Sequence, residues 1–318
     1  MKELVNEADR SRKLWLDIIA VRQWPSSAKE FDFVTTIKHC KSFIVVCTYS
    51  DEIANFDWQL ALNRRSDKIS MDTRKKISFF RVWCLVEVDA ALRYNLIIVV
   101  KCGDNRELAC NMLNKLCYVM NIRFAEATVP ADRVQILEQI EKNSGGLDGL
   151  NDAVRGATAA GWAVYEFEQW PIVQSAACGD PHAIQALTSS CICPVAGGGY
   201  VHLLQALITK VADINTLEWG GWTPLMYAAS SGQKESIRVL LTHGASVNVV
   251  DKVGKTAISI AVGNVQYACL LLLVDAGTSP TASVEERIAY CRKQCSTFRG
   301  YDWATKVQNA VDFLKTKY

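Results

Sequence analysis

The feature that most constrains this chain is an echo in its C-terminal half. GWTPLMYAASSGQKESIRVLLTHGASVN (221–248) lies over GKTAISIAVGNVQYACLLLLVDAGTS (254–279), pairing Gly221 with Gly254, Thr223 with Thr256, Leu240 with Leu273 and Gly244 with Gly277, always 33 residues on. One step back, GYVHLLQALITKVADIN (199–215) falls over GQKESIRVLLTHGASVN (232–248). A unit this short cannot bury its apolar face alone, so copies must stack in a row, each against its neighbours. Local signals place helices in each unit. The Thr-Pro pair opens the first helix, where proline lacks only a hydrogen bond that the first turn leaves unmade. Ala228 and Ala229 let neighbouring helices pack closely, and Gly244 suits the left-handed conformation that ends the second helix.

A period of 33 with TPL, a small-residue pair and a terminal Gly-Ala resembles the ankyrin-repeat family, over residues 169–285. The resemblance implies an all-α solenoid that binds a protein partner on its concave face, through turn tips and first helices. The tips here are LEWGGW (217–222) and VDKVGK (250–255), with Leu217, Glu218, Trp219, Trp222, Lys252 and Lys255 as candidate partner-binding residues. Tryptophan in a polar turn is costly if idle and is enriched at binding hot spots. The alternative for Trp219 and Trp222 is that each packs over the neighbouring tip. Earlier units read as degenerate. CICPVAGG (191–198) carries a proline and two glycines, which predicts a distorted helix, and SAACGDPHAIQAL (175–187) is one more helix-turn-helix, 20 residues out of phase. VEERIAYCRKQC and WATKVQNAVDFLKTKY read as helices over 286–318 and its approach that cap the stack.

The N-terminal half has another period. WLDIIAV (15–21), SFIVVCTY (42–49) and YNLIIVVKCG (94–103) are apolar runs rich in branched residues, whereas FDFVTTIKHC (31–40), RVWCLVEVDAALRY (81–94) and ELACNMLNKLCYVM (107–120) have helical spacing. Alternation of this kind predicts an α/β fold with a parallel sheet covered by helices. Residues 51–78, with NRRSDK and DTRKK, read as a charged, solvated insertion carrying Arg64, Arg65, Lys68, Arg74, Lys75 and Lys76.

Trp83-Cys84-Leu85-Val86-Glu87 is close to the WCLxE helix of Toll/interleukin-receptor (TIR) domains, and residues 14–140 resemble that family. The resemblance implies a flavodoxin-like sheet, with NIRFAEATVPADRVQILEQI (121–140) as its last strand and helix, and association with another TIR domain. About 13 residues precede WLDIIAV, too few for the strand that opens such domains, so the reading expects either that this strand is missing or that the sequence is an incomplete gene model. Some TIR domains cleave NAD, and by resemblance Glu87 would be the catalytic carboxylate. Its neighbours three and four positions along are Trp83, Cys84, Ala90 and Ala91, whereas Asp89 has Arg93 four residues on. A carboxyl on an apolar stripe is expected to hold its proton more tightly; the alternative is an acid at the rim of the core, bonded to a loop amide. Asp17, Arg22, Gln23 and Trp24 end the first strand, where open parallel sheets bind ligands; the alternative is that they are turn residues.

Composition narrows the class. The chain has 318 residues, half of them apolar, and a net charge of +2, which argues against bulk nucleic acid as partner. MKELVNEADRSRK is charged and lacks the apolar core of a signal peptide, and LIIVV (96–100) and ACLLLLV (268–274) are too short to span a bilayer. Twelve cysteines lie mostly among aliphatics, as free thiols do in a reducing compartment such as the cytoplasm. CICP and CRKQC have the wrong spacing for zinc, so neither metal nor cofactor is expected; NAD enters only as a substrate under the TIR reading. His39, His182, His202 and His243 have no nucleophile beside them in sequence, and Gly197–Gly199 lacks the strand and Lys-Ser of a phosphate loop. The reading is therefore a TIR-like domain (1–142), a linker (143–168), ankyrin repeats (169–285) and capping helices (286–318). It describes a cytoplasmic interaction and signalling scaffold, with NAD cleavage at Glu87 as the alternative.

Overall fold

A computed structural model describes residues 42–94, 96–127, 130–142, 146–218, 220–296 and 303–318. Strands β1 (Ser42–Val46) and β2 (Ile97–Lys101) pair in parallel, from Ser42 opposite Ile97 to Val46 opposite Lys101. Among the described residues these are the two strands, so the structure is mostly helical and does not show the expected TIR-like α/β sheet. WLDIIAV and FDFVTTIKHC lie outside the described residues.

The expected last strand fails for a physical reason. Lys101 O accepts from Cys47 N (2.7 Å) on the β1 side, which turns Val100 O and Cys102 N to the opposite edge. There Gln174 Nε2 donates to Val100 O (3.1 Å), and Tyr165 Oη accepts from Cys102 N (2.9 Å) while donating to Gly103 O (3.1 Å). Side chains from beyond residue 160 thus hold the groups that another strand would need. Residues 122–124 form a 3₁₀ turn instead, and Glu126 bonds across to Phe80 O (2.6 Å) and Val82 N (3.1 Å).

The expected charged insertion is folded. Helices α1 (Asp51–Ala54), α2 (Trp58–Leu62) and α3 (Met71–Lys76) are each opened by a polar cap, Ser50, Asp57 and Ser70, and Ile53, Ala61, Ile69 and Ile77 are buried between the charges. Its cations are partly neutralised, since Arg65 pairs with Asp67 (2.7 Å) and Arg74 with Glu126 (3.2 Å). Helices α4 (Val82–Arg93), α5 (Arg106–Val119) and α6 (Pro130–Glu141) complete the N-terminal core.

Where the sequence predicts a linker, the structure has its longest described helix, α7 (Gly146–Tyr165). Its Leu147, Leu150, Val154 and Tyr165 enter the N-terminal core, and Val164 enters the core of the repeats. The stack continues as α8 (Trp170–Ala177) and α9 (Pro181–Ala186), α10 (Ile192–Gly198) and α11 (Val201–Ile208), α12 (Pro224–Ser230) and α13 (Lys234–Thr242), then α14 (Ala257–Gly263) and α15 (Tyr267–Gly277). Helices α16 (Val284–Cys295) and α17 (Trp303–Lys317) close it. Thr223 and Thr256 cap α12 and α14, accepting from Met226 N (3.2 Å) and Ser259 N (3.3 Å).

The first helices form a row, α7, α10, α12, α14, packed side by side. Helix α10 is regular rather than distorted, because Pro194 falls in the first turn, where no helical hydrogen bond is lost. Its glycines are spacers: a Cβ on Gly197 would sit 2.9 Å from Ala163 Cβ. Likewise a Cβ on Gly161 would sit 2.8 Å from Val100 Cβ, closer than side chains pack. Gly199 and Gly232, 33 residues apart, have φ of 75°, and a Cβ there would meet the side chains of Gln233 and Gln266 one repeat on. Val265 takes the same left-handed conformation (φ 59°) at the next equivalent position.

Two glycines of one helix give opposite predictions. Gly149 has nothing within 4 Å of an added Cβ, so Gly149→Ala should stabilise by about 0.5–1 kcal/mol through helix propensity. Gly161→Ala gains the same propensity but overpacks against Val100, and should destabilise by about 1–3 kcal/mol. Urea midpoints of the two variants, measured side by side, check the sign change.

Candidate functional site

The two hairpin tips are built by backbone bonds within and between them. In the first, Glu218 N donates to Trp222 O (2.9 Å) and Gly221 N to Glu218 O (2.9 Å), with Gly220 and Gly221 both left-handed (φ 88° and 81°). In the second, Asp251 N donates to Lys255 O (2.8 Å), and Lys252 N reaches across to Gly220 O (3.1 Å), tying tip to tip. The buried Asp251 carboxylate organises both: Oδ1 accepts from Val253 N (2.9 Å) and Lys255 N (2.7 Å), and Oδ2 from Trp222 Nε1 (3.0 Å).

Each sequence-predicted residue now has a place. Trp222 is half-buried, its ring tilted on Tyr227 at 5.1 Å, and Tyr227 meets Phe167 edge-on at 5.0 Å. Its ring packs on the helix that follows it, and its indole nitrogen bonds Asp251 of the neighbouring tip. Leu217 projects at 59% exposure, Lys252 is exposed, and Glu218 and Lys255 are half-buried. Trp219 lies outside the described residues, as do Asp17, Arg22, Gln23 and Trp24.

Sequence reading overlooked Val250 and Val253, exposed at 56% and 67%. Val250 stands 33 residues after Leu217, so the two occupy equivalent positions of adjacent tips. The signal was the one used for the tryptophans, a large apolar residue in a polar turn. Asp251 was overlooked too, although an aspartate accepting from its own backbone two residues on is a standard turn device. The concave helices expected to share the contact are sealed: every residue of α12 is buried, as is α14 up to Val262.

Glu87 sits on α4 at 6% exposure, next to the fully buried Val88 and Ala90, and is engaged by another group of the protein. It lines neither of two surface cavities, one beside Tyr49–Glu52 and Thr73, the other between Arg64, Arg155 and Lys306. Asp89 pairs with Arg93 at 3.0 Å, as its spacing predicts. The described cysteines are free thiols. Burial pushes Cys102 and Cys110 up to about 11 and Cys117 up to about 12, which keeps them protonated and poorly nucleophilic. Among the described residues no group of three His, Cys, Asp or Glu is arranged to hold a metal ion, and no helix is long and apolar enough to cross a membrane.

Asp251→Ala would leave two backbone donors and one indole donor without their acceptor. At about 1 kcal/mol or more for each, the loss should be roughly 2–4 kcal/mol; chemical denaturation measures it.

No curated protein matches the chain. Residues 192–283 match the family model described as ankyrin repeats (3 copies), so the stack from α10 to α15 is an ankyrin-repeat region.

Proposed function

We propose that the protein is a protein-interaction module whose partner docks on the hairpin tips of the ankyrin stack. One observation carries the reading: Leu217, Val250 and Val253 project into solvent from turns whose backbone is locked by Asp251 and the cross-tip bond. Apolar side chains on a rigid frame lose little conformational freedom on binding, which is what makes a turn tip a contact point. Each buried valine or leucine contributes about 1.5–3 kcal/mol, so the three together do little more than offset the cost of association. The contact therefore extends over neighbours, with Lys252 supplying charge. The sealed first helices move the contact from the concave helical face toward the tips.

The finer reading, a signalling scaffold whose N-terminal part associates with a TIR domain, rests on the sequence resemblance over residues 14–140, of which Trp83–Glu87 is the most specific piece. The geometry around Glu87 gives NAD cleavage no support, since its carboxyl lies in the protein interior beside neither cavity.

The test is a triple variant, Leu217→Asp, Val250→Asp and Val253→Asp, in the full chain. With a partner identified by crosslinking on the wild type, the variant should bind at least about tenfold more weakly, at an unchanged urea midpoint. Undiminished binding by the folded variant sinks the proposal.

A further inference from the structure

Of the described cysteines, Cys291 and Cys295 are the two that stand one helical turn apart. They belong to α16, whose buried residues, Arg287, Cys291 and Cys295, recur every four positions and form one narrow stripe. Both thiols enter the core of the repeats, which Ala310 and Leu314 of α17 enter as well. Cys291 is 0% exposed and Cys295 3%. Helix α17 seals that core with alanine, valine and leucine, whereas the buried apolar positions of α16 are both cysteine.

The two thiols act on each other. A hydrogen bond with Cys295 holds the Cys291 thiol below the usual thiol range in spite of burial, and the Arg292 charge adds to the effect. A disulfide is not the natural product of this spacing. It asks for Cβ atoms about 3.5–4.5 Å apart, whereas Cβ atoms one helical turn apart stand about 5–6 Å from each other. Closing that bond would distort the helix, while an ion seated between the sulfurs spans the larger distance. Entry is short: Cys295 is the last residue of α16 and the exposed Ser296 follows it, so opening of one terminal turn uncovers the pair.

Harder ions ask for more ligands. Structural zinc takes four, and among the described residues no group of three His, Cys, Asp or Glu is arranged to hold a metal ion. Two thiolates alone suit a soft ion that accepts two ligands, and thiolate sulfur selects copper(I). We infer that Cys291 and Cys295 form a two-thiolate site for a soft monovalent metal ion, copper(I), clasped across the last turn of α16. Binding replaces two S–H bonds by two S–Cu bonds and releases both protons, with no change of oxidation state. Protons therefore compete with the ion, and affinity falls as pH falls. The bound pair carries one net negative charge, which the Arg292 charge partly offsets. Trp303 Nε1 of α17 donates to Cys295 O (3.1 Å), so the clasped turn is the one that anchors the start of the final helix.

The test offers copper(I), as its bicinchoninate complex, to the full reduced chain without oxygen, and follows the absorbance of the complex. Wild type is expected to take up one equivalent more than the double variant Cys291→Ala, Cys295→Ala, with circular dichroism unchanged. Each single variant should hold that equivalent at least about a hundredfold more weakly, because one anchored thiolate presents the ion to the second at high effective concentration. X-ray absorption of wild type loaded with one equivalent, which needs no variant, should show two sulfur neighbours and no nitrogen or oxygen. Absence of uptake by the wild type overturns the inference. So does undiminished uptake by the folded double variant, or a further ligand in the absorption spectrum.

Discussion

The structure depends on one close approach, that of helix α7 to its neighbours on two sides. On one side Gly161 lies so near β2 that a Cβ would sit 2.8 Å from Val100 Cβ; on the other Ala163 faces Gly197 of α10 with no room for a side chain there. Interior packing tolerates such proximity only where one partner lacks a side chain. The consequence is a shared wall. The N-terminal core and the repeat core each take part of their apolar lining from α7, so neither is closed without it.

A solenoid must cover its first and last units, because each repeat buries its apolar face only against neighbours. Here α7 covers the leading end of the first-helix row, and α16 and α17 cover the trailing end. The trailing cap is fastened by Arg287, whose guanidinium bonds Asp275 and the carbonyls of Ala282, Ser279 and Pro280 and lies over the Tyr318 ring at 4.5 Å. The same economy closes β2. Tyr165 at the end of α7 and Gln174 of α8 hold its outer edge, so the helices that begin the stack also end the sheet.

Those contacts explain what the sequence shows and what it hides. The 33-residue period is legible because its determinants are local and recur: Thr at the cap, Gly at left-handed turns, Leu at the inner face. The β1 and β2 runs are legible as apolar stretches, but apolarity does not state how many strands follow. That is decided by Tyr165 and Gln174, more than 60 residues away. Helix α7 reads as a linker because Gly146, Gly149, Gly156 and Gly161 lower its local propensity; the gain that offsets them is tertiary. At the tips the exposed Leu217 is legible and Trp222 is ambiguous, since only the position of Asp251 shows that the indole is bonded inward. The cavity at the seam has no sequence signature, because Arg64, Arg155 and Lys306 converge only in three dimensions.

The tips and the cavity lie at opposite ends of the same helices. Leu217 and Trp222 precede the start of α12 and Val250 to Lys255 precede α14, while the cavity is lined by Ser230, Gly263 and Asn264 at their far ends. A seven-residue helix is about 10 Å long and, buried along its length, moves as a rod. Lys306 Nζ bonds Gly263 O at the far end of α14, so the closing helix α17 is tied to the rod that carries the second tip.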